Sequence, residues 1–145
     1  MLDRFEKFSY FISEISHHWH KISADVMEEY GMKGPYSVYF TTMYRCTEGI
    51  TATKLCELCS RDKADVSRAV SLMEKKGLVT KEGANYRALI KLTEEGKKVA
   101  EQIKARAESA VEQGGKGLTD EQRTAFYEAI EIICLNLEEL SEKGL

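Results

Sequence analysis

The chain predicts a mainly α-helical fold with a small β-wing (α+β): a winged helix-turn-helix carried between long N- and C-terminal dimerisation helices. Three observations predict it. Residues 50–97 read as two short helices followed by a basic two-stranded hairpin. Apolar residues recur every three or four positions over residues 3–30 and again over 119–142, the period of one helix face. Charge is divided unevenly: residues 51–92 hold nine Lys/Arg against five Asp/Glu, a net +4, while the remainder holds twelve against nineteen, a net −7. A basic middle between acidic ends suits a molecule that offers one face to phosphates while its flanks repel them.

With 145 residues the expectation is a single domain, 1–145, in which 1–34 and 96–145 supply dimerisation helices and 35–95 the winged region. Apolar runs are only a few residues long, far short of the roughly 18 to 20 a membrane span needs, and Met1-Leu2-Asp3-Arg4-Phe5-Glu6-Lys7 has no signal-like apolar stretch. A cytoplasmic location without membrane contact is expected. The four cysteines are then reduced thiols rather than a disulfide framework. Motifs for an acyl-transfer nucleophile, a phosphate-cradling loop or a zinc protease are missing from the sequence, so no catalytic residues, cofactor or metal are expected.

Taken in order, residues 3–30 form the first helix, with Leu2, Phe5, Phe8, Ile12, Ile15, Trp19, Ile22 and Val26 along one stripe. Gly31 and Gly34 close it. Pro35, the only proline, suits the first turn of a second helix through Tyr44, where its missing N–H has no intrahelical partner. Thr51 and Asp62 read as N-caps of the next two helices, and Asp65 puts further negative charge at a helix N-terminus. Gly77 ends the second of these. Leu78–Lys81 and Arg87–Leu92 then read as strands joined through Glu82-Gly83-Ala84-Asn85, where Gly83 and Asn85 tolerate turn conformations. Thr93 caps a helix to about Gln113, Gly114-Gly115-Lys116-Gly117 breaks it, and Thr119 with Gln122 forms a capping box for a last helix to about Glu142.

The last helix repeats the opening pattern through Phe126, Ile130, Ile133, Leu137 and Leu140, with Cys134 beside them. A winged motif closes its own core with about three helices, so the additional apolar surface calls for a partner. A second copy of the chain is the simplest one. In such a homodimer two recognition helices reach half-sites about one helical turn, roughly 34 Å, apart on double-stranded DNA.

Two stretches carry a family resemblance. Asp62-Lys63-Ala64-Asp65-Val66-Ser67-Arg68, followed by Met73-Glu74-Lys75-Lys76-Gly77-Leu78-Val79, is similar to the recognition helix of the multiple antibiotic resistance (MarR) regulators, which often reads D-K-S-T-V-S-R and then L-E-x-K-G-L-V. Asn85-Tyr86-Arg87 followed by Leu92-Thr93-Glu94-Glu95-Gly96 resembles their wing, D-x-R with four residues before L-T-x-x-G. The helix order agrees along the chain. The resemblance implies a winged helix-turn-helix transcriptional regulator whose Arg87 contacts a minor groove or phosphate. Departures are Asn85 for aspartate, Tyr86 for arginine, Ala64 and Asp65 for small hydroxyl residues, and a shorter loop between the strands.

Within the predicted recognition helix, Val66, Ala69, Val70 and Met73 take the apolar side, which leaves Lys63, Ser67, Arg68 and Ser71 facing outward. Arg68 is the candidate for a base edge, because its fork matches guanine O6 and N7. Lys54, Arg61, Lys63, Lys75, Lys81 and Arg87 are candidates for positioning phosphates, and Asn85 lies at the wing tip. Asp65, acidic near phosphates, caps the helix, orients Arg68 or accepts from a cytosine amino group.

Four other groupings carry competing readings. Cys56-Glu57-Leu58-Cys59 has redox or zinc spacing, yet it falls within a helix that must bury Leu55 and Leu58 or Cys59, and no second ligand pair follows at zinc-ribbon distance. Cys46 and Cys134 are oxidation-sensor candidates on the family resemblance alone. His17 and His20 lie one turn apart without an evident third ligand. Trp19, Tyr36 and Tyr39, with Tyr44, either line a cleft for a small aromatic effector or belong to the core. The functional expectation is a homodimeric repressor that binds a pseudo-palindromic operator and is released by a small molecule or a redox signal. The alternatives are a winged-helix protein-interaction module without DNA binding, or a thiol or metal sensor using Cys56 and Cys59.

Overall fold

The computed structural model describes residues 1–145, except for the side chain of Tyr86, and divides into two compact units, residues 1–109 and 110–145. In the first unit, α1 (Arg4–Glu29) opens with a capping box: Asp3 accepts from the Phe5 and Glu6 amides, and Glu6 accepts from the Asp3 amide. That arrangement satisfies amides that otherwise have no partner. Only the C-terminal end of α1 is buried, through Val26 and Met27. Phe5, Phe8, Ile12, Ile15, Trp19 and Ile22 remain exposed.

The chain then makes a tight 3-10 turn over Gly34–Tyr36 before α2 (Ser37–Arg45). The proline therefore lies in a lead-in turn, and the regular helix starts two residues later than the sequence predicts. Thr51 caps α3 (Ala52–Cys59) by accepting from the Lys54 amide, and Asp62 caps α4 (Lys63–Lys75) by accepting from the Asp65 amide at 2.7 Å. Both caps are those expected from sequence. Gly77, at φ +74°, turns the chain out of α4 in the left-handed conformation that costs glycine least.

The wing is the antiparallel pair β1 (Val79–Glu82) and β2 (Leu89–Leu92), registered Val79 to Leu92 and Glu82 to Leu89. Both strands differ from expectation. The first is shifted one residue along the chain, and the second starts at Leu89 because Asn85–Arg87 coil into a 3-10 turn with Asn85 at φ +61°. Arg87 therefore stands on the turn rather than in the strand. Ile50 adds an unforeseen bridge, exchanging two hydrogen bonds with Ile90 at 2.8 and 3.0 Å and fastening the entry of α3 to the wing.

Tyr39, Phe40, Met27, Leu55, Met73, Val66 and Val99 are the largest fully buried side chains of the core. They come from α1, α2, α3, α4 and α5 (Glu94–Gly114), and each contributes about 1.5–3 kcal/mol by burial. The start of α5 is seated on the wing by Thr93. Its amide donates to the Leu78 carbonyl at 3.0 Å, its hydroxyl donates to the Gly77 carbonyl at 2.7 Å, and the same oxygen accepts from the Gly96 amide at 3.1 Å. Gly96 has no room for a side chain, since a Cβ there would lie 2.0 Å from the Leu78 oxygen. The Leu-Thr-x-x-Gly spacing is thus the geometry of this junction.

In the second unit, α6 (Asp120–Lys143) begins with the expected Thr119–Gln122 capping box. The Arg123 guanidinium donates to the Gly115 carbonyl at 3.2 Å and ties the preceding glycine turn to the helix. No residue of α6 is buried, and Phe126, Ile130, Ile133, Leu137 and Leu140 are all exposed. Among the described residues no helix is long and apolar enough to cross a membrane.

Candidate nucleic-acid interface

The residue pattern of α4 makes it two-sided. Val66, Ala69, Val70 and Met73 are buried, while Lys63, Ser67, Arg68, Ser71 and Lys75 face solvent. An element anchored by four apolar side chains holds its outer face in a fixed orientation, which is what a side chain reading base edges requires. Between this helix and the wing lies a cleft of about 530 Å³. It brings together Lys63 and Ser67 of α4 with Lys81 and Asn85 of the wing, over an apolar floor that includes Val66, Val70 and Ile90.

The other predicted contacts are distributed around this centre. Lys54 is exposed on α3, where its ammonium lies 3.4 Å from Glu57, and Arg61 is exposed in the α3–α4 connection. Lys75 lies in the last turn of α4, and Arg87 is exposed on the 3-10 turn. The side chain of Tyr86, one of the departures from the wing pattern, lies outside the described residues.

Asp65 has partners the sequence does not display. Its carboxylate accepts a hydrogen bond from the Tyr39 hydroxyl and lies 3.7 Å from the Arg68 guanidinium. Tyr39 is fully buried. Burial and then the bond to Asp65 push its hydroxyl well above the ordinary tyrosine value of 10.0, so it remains a donor. Local reasoning from the sequence reached the Asp65–Arg68 neighbourhood, three residues apart on one helix face. It missed Tyr39, because nothing in a helical period links positions 26 residues apart.

The aromatic trio proposed for an effector is split by burial. Tyr36 and Tyr39 belong to the core with ring centroids 5.8 Å apart, and Trp19 is 38% exposed on α1. The Tyr39 hydroxyl is already engaged. Tyr44 donates to Glu101 of α5 at 3.1 Å, which raises its pKa.

The thiols are dispersed as well. Cys59 donates to the Thr42 hydroxyl at 3.4 Å, Cys56 is half-buried on the same helix, Cys46 is half-buried beyond α2, and Cys134 is exposed on α6. His18 lies 3.5 Å from Glu14, and His20 faces the Ser16 hydroxyl at 3.4 Å. Among the described residues no three His, Cys, Asp or Glu side chains converge as a metal site.

Solved structures resemble this arrangement over nearly its whole length. A MarR transcriptional regulator from Methanosarcina mazei Go1 superposes with a TM-score of 0.81 at 24% identity, covering 97% of this chain and 94% of that one. A MarR family transcriptional regulator from Listeria monocytogenes, complexed with a 26mer DNA, gives 0.79 at 23% identity over 99% and 97%. The chain has the MarR-type winged-helix fold. The Staphylococcus aureus MepR–DNA complex shares it, with a TM-score of 0.76 at 18% identity over 89% and 97%. No family model matches the sequence, nor does any curated protein.

Proposed function

We propose that the chain is a homodimeric, sequence-specific DNA-binding transcriptional regulator acting in the cytoplasm, and more specifically a repressor that occupies a pseudo-palindromic operator. The observation that carries this reading is the outer face of α4. A helix clamped into the core by Val66, Ala69, Val70 and Met73 presents Ser67, Arg68 and Ser71 outward, beside a wing bearing Lys81, Asn85 and Arg87. Arg68 reads a base edge. Lys54, Arg61, Lys63, Lys75, Lys81 and Arg87 position the phosphates, each neutralised phosphate adding nearly one unit to the salt dependence. DNA complexes of two proteins with the same fold support this reading.

The dimer is supported by the unpartnered apolar faces of α1 and α6, each too extensive for an isolated surface helix. An effector or a thiol modification would act by favouring one spacing of the two recognition helices. A ligand shifts such an equilibrium only by its differential affinity for the two states.

The test is an electrophoretic shift with the DNA upstream of the chain's own coding sequence. Binding that is weakened on Arg68→Ala, and whose salt dependence becomes shallower by about one per protomer on Lys81→Ala, is expected. Absent or salt-independent binding would leave the protein-interaction reading in its place.

A further inference from the structure

Arg68 does not stand alone on the outer face of α4. One oxygen of Asp65, Oδ1, lies 3.7 Å from its Nη2, and the other, Oδ2, accepts from Tyr39. The Asp65 amide is itself fixed, donating to the Asp62 cap at 2.7 Å. The Asp65 side chain is 28% exposed and that of Arg68 is 64% exposed, so the three residues run from the core to the surface as buried hydroxyl, half-buried carboxylate and exposed guanidinium. Tyr39 belongs to α2, which makes the link tertiary.

An exposed ion pair three residues apart on a helix ordinarily does little to hold a long side chain. Here the carboxylate is pinned by a donor that cannot rotate away, because the Tyr39 ring is packed on all sides. The guanidinium therefore faces a stationary counter-charge, which restricts its rotamers and leaves the remaining N–H groups of the fork available.

Charge decides what that fork prefers. The Asp65–Arg68 pair is close to neutral, so moving it against a phosphate releases little counterion and brings a carboxylate towards an anion. Guanine O6 and N7 are neutral acceptors and carry no such repulsion. We propose that Asp65, held by Tyr39, is a positioning and specificity-determining residue that directs Arg68 to a guanine and away from the phosphate backbone. This rests on the DNA-binding reading above. It assigns Arg68 a role opposite to that of Lys81 and Lys63, which among the described residues have no carboxylate within ion-pair distance and add to salt dependence.

The experiment uses the full-length chain and a library of randomised duplexes. Bound duplexes are sequenced for the wild type and for Arg68→Ala, Asp65→Asn and Tyr39→Phe, and the salt dependence of affinity is measured on the wild-type consensus and on a scrambled duplex. Arg68→Ala is expected to flatten one guanine position per half-site by about 5- to 150-fold while leaving the salt slope nearly unchanged. Asp65→Asn should weaken preference at that same guanine, tighten binding to the scrambled duplex and steepen the salt slope by about one per protomer. Tyr39→Phe, which keeps the buried ring, should weaken preference at the same position about 3- to 10-fold, a loss of the size expected for one hydrogen bond.

A purely structural role for Asp65 or Tyr39 would lower affinity for consensus and scrambled duplexes together, and that result overturns the proposal. So does an unchanged preference in both variants while the wild type selects a clear consensus. A wild type that selects no duplex at all refutes the DNA-binding reading itself.

Discussion

Replacing Gly96 with alanine tests how the wing is joined to the helix that follows it. The added Cβ would lie 2.0 Å from the Leu78 oxygen, 3.0 Å from its carbonyl carbon and 3.1 Å from Leu92 Cδ2. A relaxed carbon–oxygen contact is about 3.3 Å, so α5 and the start of the wing must separate by about 1.3 Å. Two of the three atoms met are backbone, which cannot rotate aside. That displacement strains the three hydrogen bonds through which Thr93 ties α5 to Gly77, Leu78 and Gly96. Loss of two at about 0.5–1.5 kcal/mol each, with about 1–3 kcal/mol of overpacking, outweighs the roughly 0.5–1 kcal/mol that alanine gains in a helix. The net destabilisation is about 2–5 kcal/mol, a large share of the roughly 5–15 kcal/mol that holds a typical fold. At about 2–4 °C per kcal/mol, Tm should fall by roughly 5–20 °C when followed by far-ultraviolet circular dichroism at a fixed protein concentration. A variant within about 0.5 kcal/mol of wild type would refute the close seating of α5 on Leu78.

Three further outcomes follow from the same structure. Asp62→Ala removes the cap that accepts from the Asp65 amide and should cost about 1 kcal/mol, read as a lower urea midpoint with an unchanged m-value. Tyr39 has a folded-state pKa above its unfolded value of 10.0, so its contribution to stability is complete below that pH and is lost as pH rises beyond it. Urea titrations at about pH 8 and about pH 11 should therefore show a smaller alkaline loss for Tyr39→Phe than for wild type, and equal losses would contradict the buried Tyr39–Asp65 bond. Ile15→Asp, on the exposed stripe of α1, should convert a dimer to a monomer in sedimentation while leaving helix content unchanged; a monomeric wild type would remove the dimer from the account.

What the sequence makes legible depends on how local the signal is. The caps Thr51, Asp62 and Thr119 were readable because each acts within three residues of itself, and the four buried positions of α4 because they repeat with the helix period. The wing was recognisable as a hairpin but its strand ends were not. Left-handed Asn85 starts a 3-10 turn that takes Arg87 out of the strand. Ile50 was missed because a single bridging residue has no periodicity. Tyr36 and Tyr39 sit at helical spacing that suits core and cleft equally, and only the packing of the 3-10 turn and α2 against their neighbours places them in the core. Of the candidate contacts, the outward face of α4 followed directly from its inward face. The link from Arg68 through Asp65 to Tyr39 required the tertiary fold.

The most direct test of the central claim, that α4 and the wing form a DNA-binding face, is the dependence of affinity on salt for a duplex the wild-type chain selects. Six phosphate-positioning side chains per protomer at most, each contributing about 0.9, predict a log–log slope of roughly −5 to −10 for the dimer, reduced by about one per protomer in Lys81→Ala. Binding with a slope near zero, or a slope that Lys81→Ala leaves unchanged, would contradict the account.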